Sequence, residues 1–90
     1  MDDASLFQEL ETLAAALDVE IRYDTFEGDG GLCRILQKRY IIINRSLESA
    51  QRLQLLCREL ARCGLDEVYI RPHVREILEA HNLSDSSPHA

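Results

Sequence analysis

Three side chains near the middle of the chain have the spacing of a catalytic zinc site without its chemistry. In "RELAR", Arg58, Glu59 and Arg62 occupy the positions of H-E-x-x-H, in which two histidines four residues apart on one helical face hold zinc. A guanidinium stays protonated and has no lone pair for a cation, so Arg58 and Arg62 cannot replace those histidines. Glu59 has the position of the general base, but without zinc it has no metal-bound water to deprotonate. The motif therefore predicts no catalytic residue, no metal ligand and no cofactor.

The same three side chains are predicted to lie on the solvent side of a helix. If Cys57 marks the centre of the buried stripe, Arg58 and Arg62 project about 100° and 140° away from it, and Glu59 about 200°. Glu59 and Arg62 then form an (i, i+3) ion pair worth on the order of 0.3 kcal/mol. The second interpretation is that Arg58, Glu59 and Arg62 form a candidate interaction surface.

Other potential metal ligands are dispersed along the chain. The cysteines are odd in number and lack C-x-x-C spacing, which argues against a disulfide framework and against a zinc knuckle. We expect them to be buried or half-buried free thiols in a reducing compartment. The histidines have no partner at ligand spacing. A metal-dependent peptidase with atypical ligands stays open as an alternative, with ligands drawn from Cys57, Glu59, Cys63, His73 or His81.

The length and composition indicate one folded domain. Ninety residues suffice for a single small core, and 46% hydrophobic with 29% charged residues is typical of a globular protein. No apolar run is long enough to span a bilayer, so we expect no membrane partner. The start, "MDDASLFQEL", has acids where a secretory signal has basic residues, which favours a cytoplasmic location.

Charge is distributed unevenly along the chain, whose net charge is -6. Residues 1–31 carry nine acids against one base, residues 32–65 carry seven bases against two acids, and residues 66–90 carry five acids against two bases. The overall charge makes nucleic-acid binding unlikely. The asymmetry either neutralises itself within the fold, pairs two copies of the chain, or presents a basic face to an acidic partner.

Hydrophobic periodicity predicts the elements that position these residues. Leucines at three- and four-residue spacing predict a first helix over residues 4–17, capped by Asp2, Asp3 or Ser5. The alternation in "VEIRYDTF" predicts a strand, and the glycines of "EGDGG" a turn. "LCRIL" and "YIIIN" flank the short "QKR", which predicts two further strands in a three-stranded antiparallel meander.

The second half of the chain is predicted to be mainly helical. An apolar stripe predicts a long amphipathic helix over residues 47–63, with Asn44 or Ser46 as its N-cap. "EVYI" predicts a short extended segment, and Pro72 the first position of a C-terminal helix. The fold class is therefore α+β, with a single domain over residues 1–82 and a disordered tail over residues 83–90.

From residue 19 to about residue 62, the chain resembles the core of the ImmA/IrrE-type metallopeptidase domain, a member of the zincin fold. The resemblance rests on the "GLCRIL" hairpin, the strand ending "IIIN", the turn "RSL", the helix "ESAQRLQLLC" and the motif position "RELAR". It implies a zincin-like core, and the two arginines depart from the ligands that the family uses.

The absence of a complete catalytic set favours a non-enzymatic interaction or regulatory domain on this scaffold. A small sheet leaves edges and apolar faces that partners commonly cover, so we expect a protein partner, with a second copy of the chain as the first candidate. The alternatives are the atypical metallopeptidase and a small regulator that binds an acidic partner.

Overall fold

In the part of the chain that it describes, the structure, a computed structural model, contains three helices and one three-stranded sheet. It describes the backbone of residues 2–85 and the side chains of residues 2–81. The elements follow one another as α1 (Asp3–Ala16), β1 (Val19–Asp24), β2 (Gly30–Ile35), β3 (Lys38–Asn44), α2 (Ser49–Ala61) and α3 (Pro72–Asp85). The predicted α+β class is confirmed. Among residues 2–85, no helix combines the length and the apolarity that crossing a bilayer requires.

The sheet is mixed, so the predicted antiparallel meander is wrong in one of its two pairings. The strand order is β1-β3-β2. β2 and β3 form the predicted antiparallel hairpin, but β1 pairs with β3 in parallel and does not pair with β2. A meander would have placed β2 at the centre. The central position is instead taken by β3, whose run from Tyr40 to Ile43 is the most continuously apolar and suits a strand with neighbours on both sides.

Two glycine-dependent features hold β2 in register with β3. Gly30 has a φ of +123°, and a Cβ atom at this position would lie 1.9 Å from the backbone oxygen of Ile42. Only glycine allows the two backbones to approach so closely. A Cβ atom on the neighbouring Gly31 would lie 3.2 Å from Oε1 of Glu59, which belongs to α2. Both glycines therefore mark places where another group comes close to β2.

The helices begin and end through identifiable local interactions. α1 is capped by Asp2, whose Oδ1 accepts a hydrogen bond from the Ser5 amide at 2.8 Å. α2 is capped by Glu48, whose amide donates to the side chain of Gln51 at 3.2 Å, so the predicted caps Asn44 and Ser46 are wrong. They form a turn instead, because Oδ1 of Asn44 accepts hydrogen bonds from the amide and the hydroxyl of Ser46.

The segment around "EVYI" joins no sheet: residues 66–68 form a turn and a bend, and residues 69–71 belong to no helix or strand. Val68 and Ile70 still turn inward and pack with the core, while Tyr69 remains 83% exposed. α3 starts at Pro72 as predicted and runs to Asp85, three residues past the predicted domain boundary. Residues 86–90, the rest of the predicted tail, lie outside the described residues.

The core lies between one face of the sheet and the helices. Ile41 and Ile43 of β3 are fully buried beneath α2, and Val19 of β1 is buried near α1. α1 and α2 contact each other and the sheet, and α3 packs against α2. α2 is therefore the central helix of the domain. Its buried side chains are Leu53, Leu55, Leu56, Cys57, Glu59, Leu60 and Ala61.

Arg39 connects the sheet to the C-terminal ends of two helices. Its Nη2 donates a hydrogen bond to the carbonyl of Leu17 at 2.6 Å, and its Nη1 donates to the carbonyl of Cys63 at 3.4 Å. Both acceptors lie just past a helix end, where backbone carbonyls lack intrahelical partners and the helix dipole favours a positive charge. The guanidinium therefore fixes α1 and α2 relative to β3.

Replacing Arg39 by methionine removes both hydrogen bonds but keeps a long side chain. We expect the free energy of unfolding to fall by about 1–3 kcal/mol, because two half-buried carbonyls lose a charged donor. Urea denaturation followed by circular dichroism measures this. The matched control is Arg34→Met on the exposed edge of β2, which should change stability by no more than about 0.5 kcal/mol. Equal effects of the two variants would contradict the assigned role.

Candidate functional site

The three side chains of the "RELAR" motif lie on the last turns of α2 and at its C-cap, but they do not share one solvent-facing surface. Glu59 is only 6% exposed, whereas Arg58 is half-buried and Arg62 is exposed. The predicted solvent position of Glu59 is therefore wrong. The prediction assumed a single buried side of the helix, but α2 contacts β2 and β3 as well as α1 and α3, and Glu59 lies against β2.

Both oxygens of the Glu59 carboxylate have partners. Oε1 accepts a hydrogen bond from the backbone amide of Leu32 at 2.9 Å. Oε2 lies 3.3 Å from Nε of Arg58 and 3.8 Å from Nη1 of Arg62. The predicted pairing of Glu59 with Arg62 is thus present, and Arg58 adds a second, shorter contact. The two guanidiniums compensate the charge of a carboxylate that would otherwise be costly to bury.

The contact with Leu32 gives Glu59 a structural role at the edge of the sheet. β2 is an edge strand, and edge strands present backbone groups that can pair with another chain. The Leu32 amide donates to Glu59 instead, which ties β2 to α2. Gly31 leaves the space that this contact requires, because a side chain there would press on the carboxylate. We call Leu32, Arg58, Glu59 and Arg62 the edge brace.

The edge brace engages both oxygens of the Glu59 carboxylate, one with a backbone amide and the other with two guanidiniums. Among the side chains of residues 2–81, no group of three or more His, Cys, Asp or Glu is arranged to hold a metal ion. The alternative ligands that the sequence offered, Cys57, Cys63, His73 and His81, therefore form no such group with Glu59.

The three cysteines are free thiols, as predicted. Cys57 is buried, and this burial raises the pKa of its thiol to about 11, so that it is protonated and unreactive at neutral pH. Burial also raises the pKa of Cys63, although Arg39 opposes this shift, and its thiol donates to the backbone carbonyl of Glu59 at 3.3 Å. Cys33 is half-buried on β2. His73 is exposed, and His89 lies outside the described residues.

Comparison with protein-family models, with curated protein sequences and with solved structures finds no match to this chain. Its own contacts and surfaces therefore carry the functional argument.

A partly apolar surface lies on the opposite side of the sheet from the helices. An uncovered apolar face was expected of a small sheet, but its residues were not predicted. Strand pairing places alternate residues of β2 and β3 on this side, and the apolar side chains among them are exposed or half-buried. Phe26 and Leu36 extend the surface beyond the two ends of the hairpin and are 37% and 92% exposed. We call it the outer sheet face. Its apolar members are Phe26, Cys33, Ile35, Leu36, Tyr40 and Ile42.

A strip of mixed charge borders the outer sheet face along β1. Glu20 pairs with Arg22 on the same strand and with Lys38 on β3, the latter at 3.6 Å. The guanidinium of Arg22 also lies 4.8 Å from the centre of the Tyr40 ring, in a cation–π contact. The strip therefore carries both signs of charge next to apolar side chains.

The sequence signal for the outer sheet face was the apolar run of β3. Helices cover a central strand on one side only, so the apolar residues on its other side stay uncovered.

Asn44 is a second organising residue that the sequence analysis assigned differently. Its Nδ2 donates to the carbonyls of Phe26 at 2.7 Å and Gly28 at 2.6 Å, and its backbone amide donates to Asp29. One buried side chain thus holds the loop between β1 and β2 against the end of β3. This arrangement fixes Phe26 at one end of the outer sheet face.

Replacing Glu59 by alanine should destabilise the protein by about 2–3 kcal/mol, because it leaves the Leu32 amide without its acceptor and two arginines without their counter-charge. Chemical denaturation measures the loss. Hydrogen exchange of the Leu32 amide should accelerate by more than the global destabilisation explains. The control Glu76→Ala, on the exposed side of α3, should change neither quantity appreciably. Unchanged exchange at Leu32 would show that the contact does not protect the edge strand.

Proposed function

We propose that this chain is a non-enzymatic, cytoplasmic protein-interaction domain that self-associates through its outer sheet face, on a zincin-like scaffold without metal ligands. The observation that carries the proposal is the exposure of apolar side chains on the side of the sheet opposite the helices. Contiguous exposed apolar patches with a polar border are typical of protein interfaces.

The hairpin tip supports an interaction role for this face. Leu36 has a φ of +58°, a left-handed conformation that costs a bulky L-residue about 1–2 kcal/mol, and its side chain is 92% exposed. An unstrained tip would carry glycine or asparagine. A strained, exposed leucine contributes nothing to the core of the isolated chain. Burial of its side chain against a partner would compensate the conformational cost of its left-handed backbone.

The charge strip favours a second copy of this chain as the partner. A two-fold axis brings a surface against itself, so a patch of one sign would repel its copy. Here Glu20 lies between Arg22 and Lys38, so that acidic and basic groups are available to pair across such an axis. A strongly basic or strongly acidic partner would meet charges of both signs on this face, so its own charge would not be complemented.

The edge brace supports the non-enzymatic part of the proposal. Glu59 is held by the Leu32 amide and by two arginines, which gives the carboxylate a structural use in place of a catalytic one. The brace also blocks one point of the β2 edge, which makes pairing through the sheet face more favourable than addition of a further strand beside β2. The zincin-like scaffold is proposed from the order of hairpin, strand, helix and "RELAR" along the chain.

Sedimentation or light scattering should show a concentration-dependent dimer of twice the 10.3 kDa chain mass. Ile35 is 54% exposed, so Ile35→Lys should leave the fold intact while placing a charge in the interface. We expect the dimer dissociation constant to rise about tenfold or more. The matched control is Gln54→Lys, which adds the same charge on exposed α2 surface. A strictly monomeric wild-type chain at high concentration would refute self-association.

The Leu36→Gly substitution should change dimer affinity and monomer stability in opposite directions. Glycine relieves the left-handed strain, so the monomer should gain on the order of 1 kcal/mol in unfolding free energy. The same change removes an exposed apolar contact, so the dimer should weaken. Thermal denaturation of dilute protein measures the first effect and sedimentation the second. A more stable monomer with unchanged dimerisation would exclude the hairpin tip from the interface.

A metal-dependent peptidase would contain about one zinc per chain, whereas the proposed interaction domain needs none. We therefore expect elemental analysis of untagged protein prepared without chelator to find much less than one zinc per chain. Stoichiometric zinc that is lost on Glu59→Ala or His73→Ala replacement would favour the peptidase and overturn the non-enzymatic assignment.

A further inference from the structure

A cleft of about 500 Å³ opens between the N-terminal ends of α1 and α2, on the helix side of the sheet. Its volume is within the range of sites that bind small molecules, and it lies apart from the edge brace and from the outer sheet face. Apolar and polar side chains both line it. They are Asp3, Ala4, Phe7, Tyr23, Ser49, Arg52 and Leu53.

The half-buried guanidinium of Arg52 is held in place by the backbone. Its Nε donates to the carbonyl of Leu47 at 2.8 Å, and its Nη2 donates to the carbonyl of Arg45 at 3.4 Å. Its Nη1 donates to no residue that the structure describes. A guanidinium fixed through two of its nitrogens can offer the third to a ligand with little further loss of side-chain entropy.

Tyr23 brings a second hydrogen-bond donor to the cleft. Burial raises the pKa of its hydroxyl and Glu11 raises it further, whereas Arg52 lowers it, so the phenol is protonated at neutral pH. The side chain of Tyr23 is half-buried and lines the cleft, where its hydroxyl can donate a hydrogen bond to a ligand. Tyr23 and Arg52 thus offer two donors next to the apolar walls formed by Phe7 and Leu53.

We infer that this cleft binds a small molecule in which a carboxylate is joined to an apolar body. The carboxylate accepts hydrogen bonds from Arg52 and Tyr23, and the apolar body lies against Phe7 and Leu53. Arg52 and Tyr23 line the same cleft, so both can reach one carboxylate, and hydrogen bonds between charged groups are stronger than neutral pairs. Asp3 at the cleft and Glu11 near Tyr23 both oppose the anion. Both side chains are exposed, so solvent reduces their effect, and Asp3 also lies in the first turn of α1, where the helix dipole offsets its charge.

The test is a titration of the full chain with octanoate, followed by ¹H–¹⁵N NMR. Saturable shifts should be confined to the amides around the cleft, including those of Phe7, Ser49 and Leu53. Octanol and octylammonium carry the same chain without the carboxylate, and each should bind at least about tenfold more weakly. No saturable shift at these amides, or equal binding of octanol, would overturn the inference.

Substitutions at the cleft then test which side chains bind octanoate. Arg52→Met should weaken octanoate about tenfold, and Tyr23→Phe, which removes one oxygen and keeps the Arg52 contacts, about threefold or more. Asp3→Asn should tighten binding. Arg34→Met and Tyr69→Phe make the same chemical changes outside the cleft and should have no effect. Wild-type affinity for octanoate in the Tyr23→Phe variant would overturn the assignment, even if Arg52→Met fails to fold.

Discussion

The position of α2 between the sheet and the other two helices is the constraint on which the rest of the structure depends. A helix with neighbours on several sides must bury more than one stripe, and α2 buries side chains around most of its C-terminal half. Glu59 is therefore inside the protein and needs partners for both oxygens, which the Leu32 amide and two arginines provide. The motif that has the spacing of a zinc site is, in this chain, the means by which a buried carboxylate holds an edge strand.

The sequence predicted the elements well and their arrangement only in part. Helices α1, α2 and α3 and the β2–β3 hairpin follow from local periodicity and from turn residues, and they were found within a few residues of their predicted bounds. The pairing of β1 was not predictable in the same way, because the alternation of a strand does not say which neighbour it will have. The burial of Glu59 depends on contacts with β2, which a helical wheel does not contain. The resemblance to the ImmA/IrrE-type domain stays a prediction.

Polar side chains that reach backbone carbonyls organise the ends of the elements. Arg39 joins the C-terminal ends of α1 and α2, Asn44 joins the loop after β1 to the end of β3, and Arg52 joins its helix to the turn before it. None of these roles has a sequence signature, since each depends on a carbonyl distant in the chain or in an irregular segment. These residues set the geometry of the two surfaces to which functions are proposed, because Asn44 positions Phe26 and Arg52 lines the cleft.

The paired glycines at the start of β2 protect the hairpin from misalignment. If the strand slipped by one residue in one direction, Asp29 would take the place of Gly30, where any Cβ collides with the Ile42 carbonyl. If it slipped in the other direction, Leu32 would take the place of Gly31, and its Cβ would press on the Glu59 carboxylate. A slip would also exchange the two faces of the strand. Misaligned pairing exposes strand edges that can pair with other chains, so the little space that these two positions leave for a Cβ disfavours that outcome.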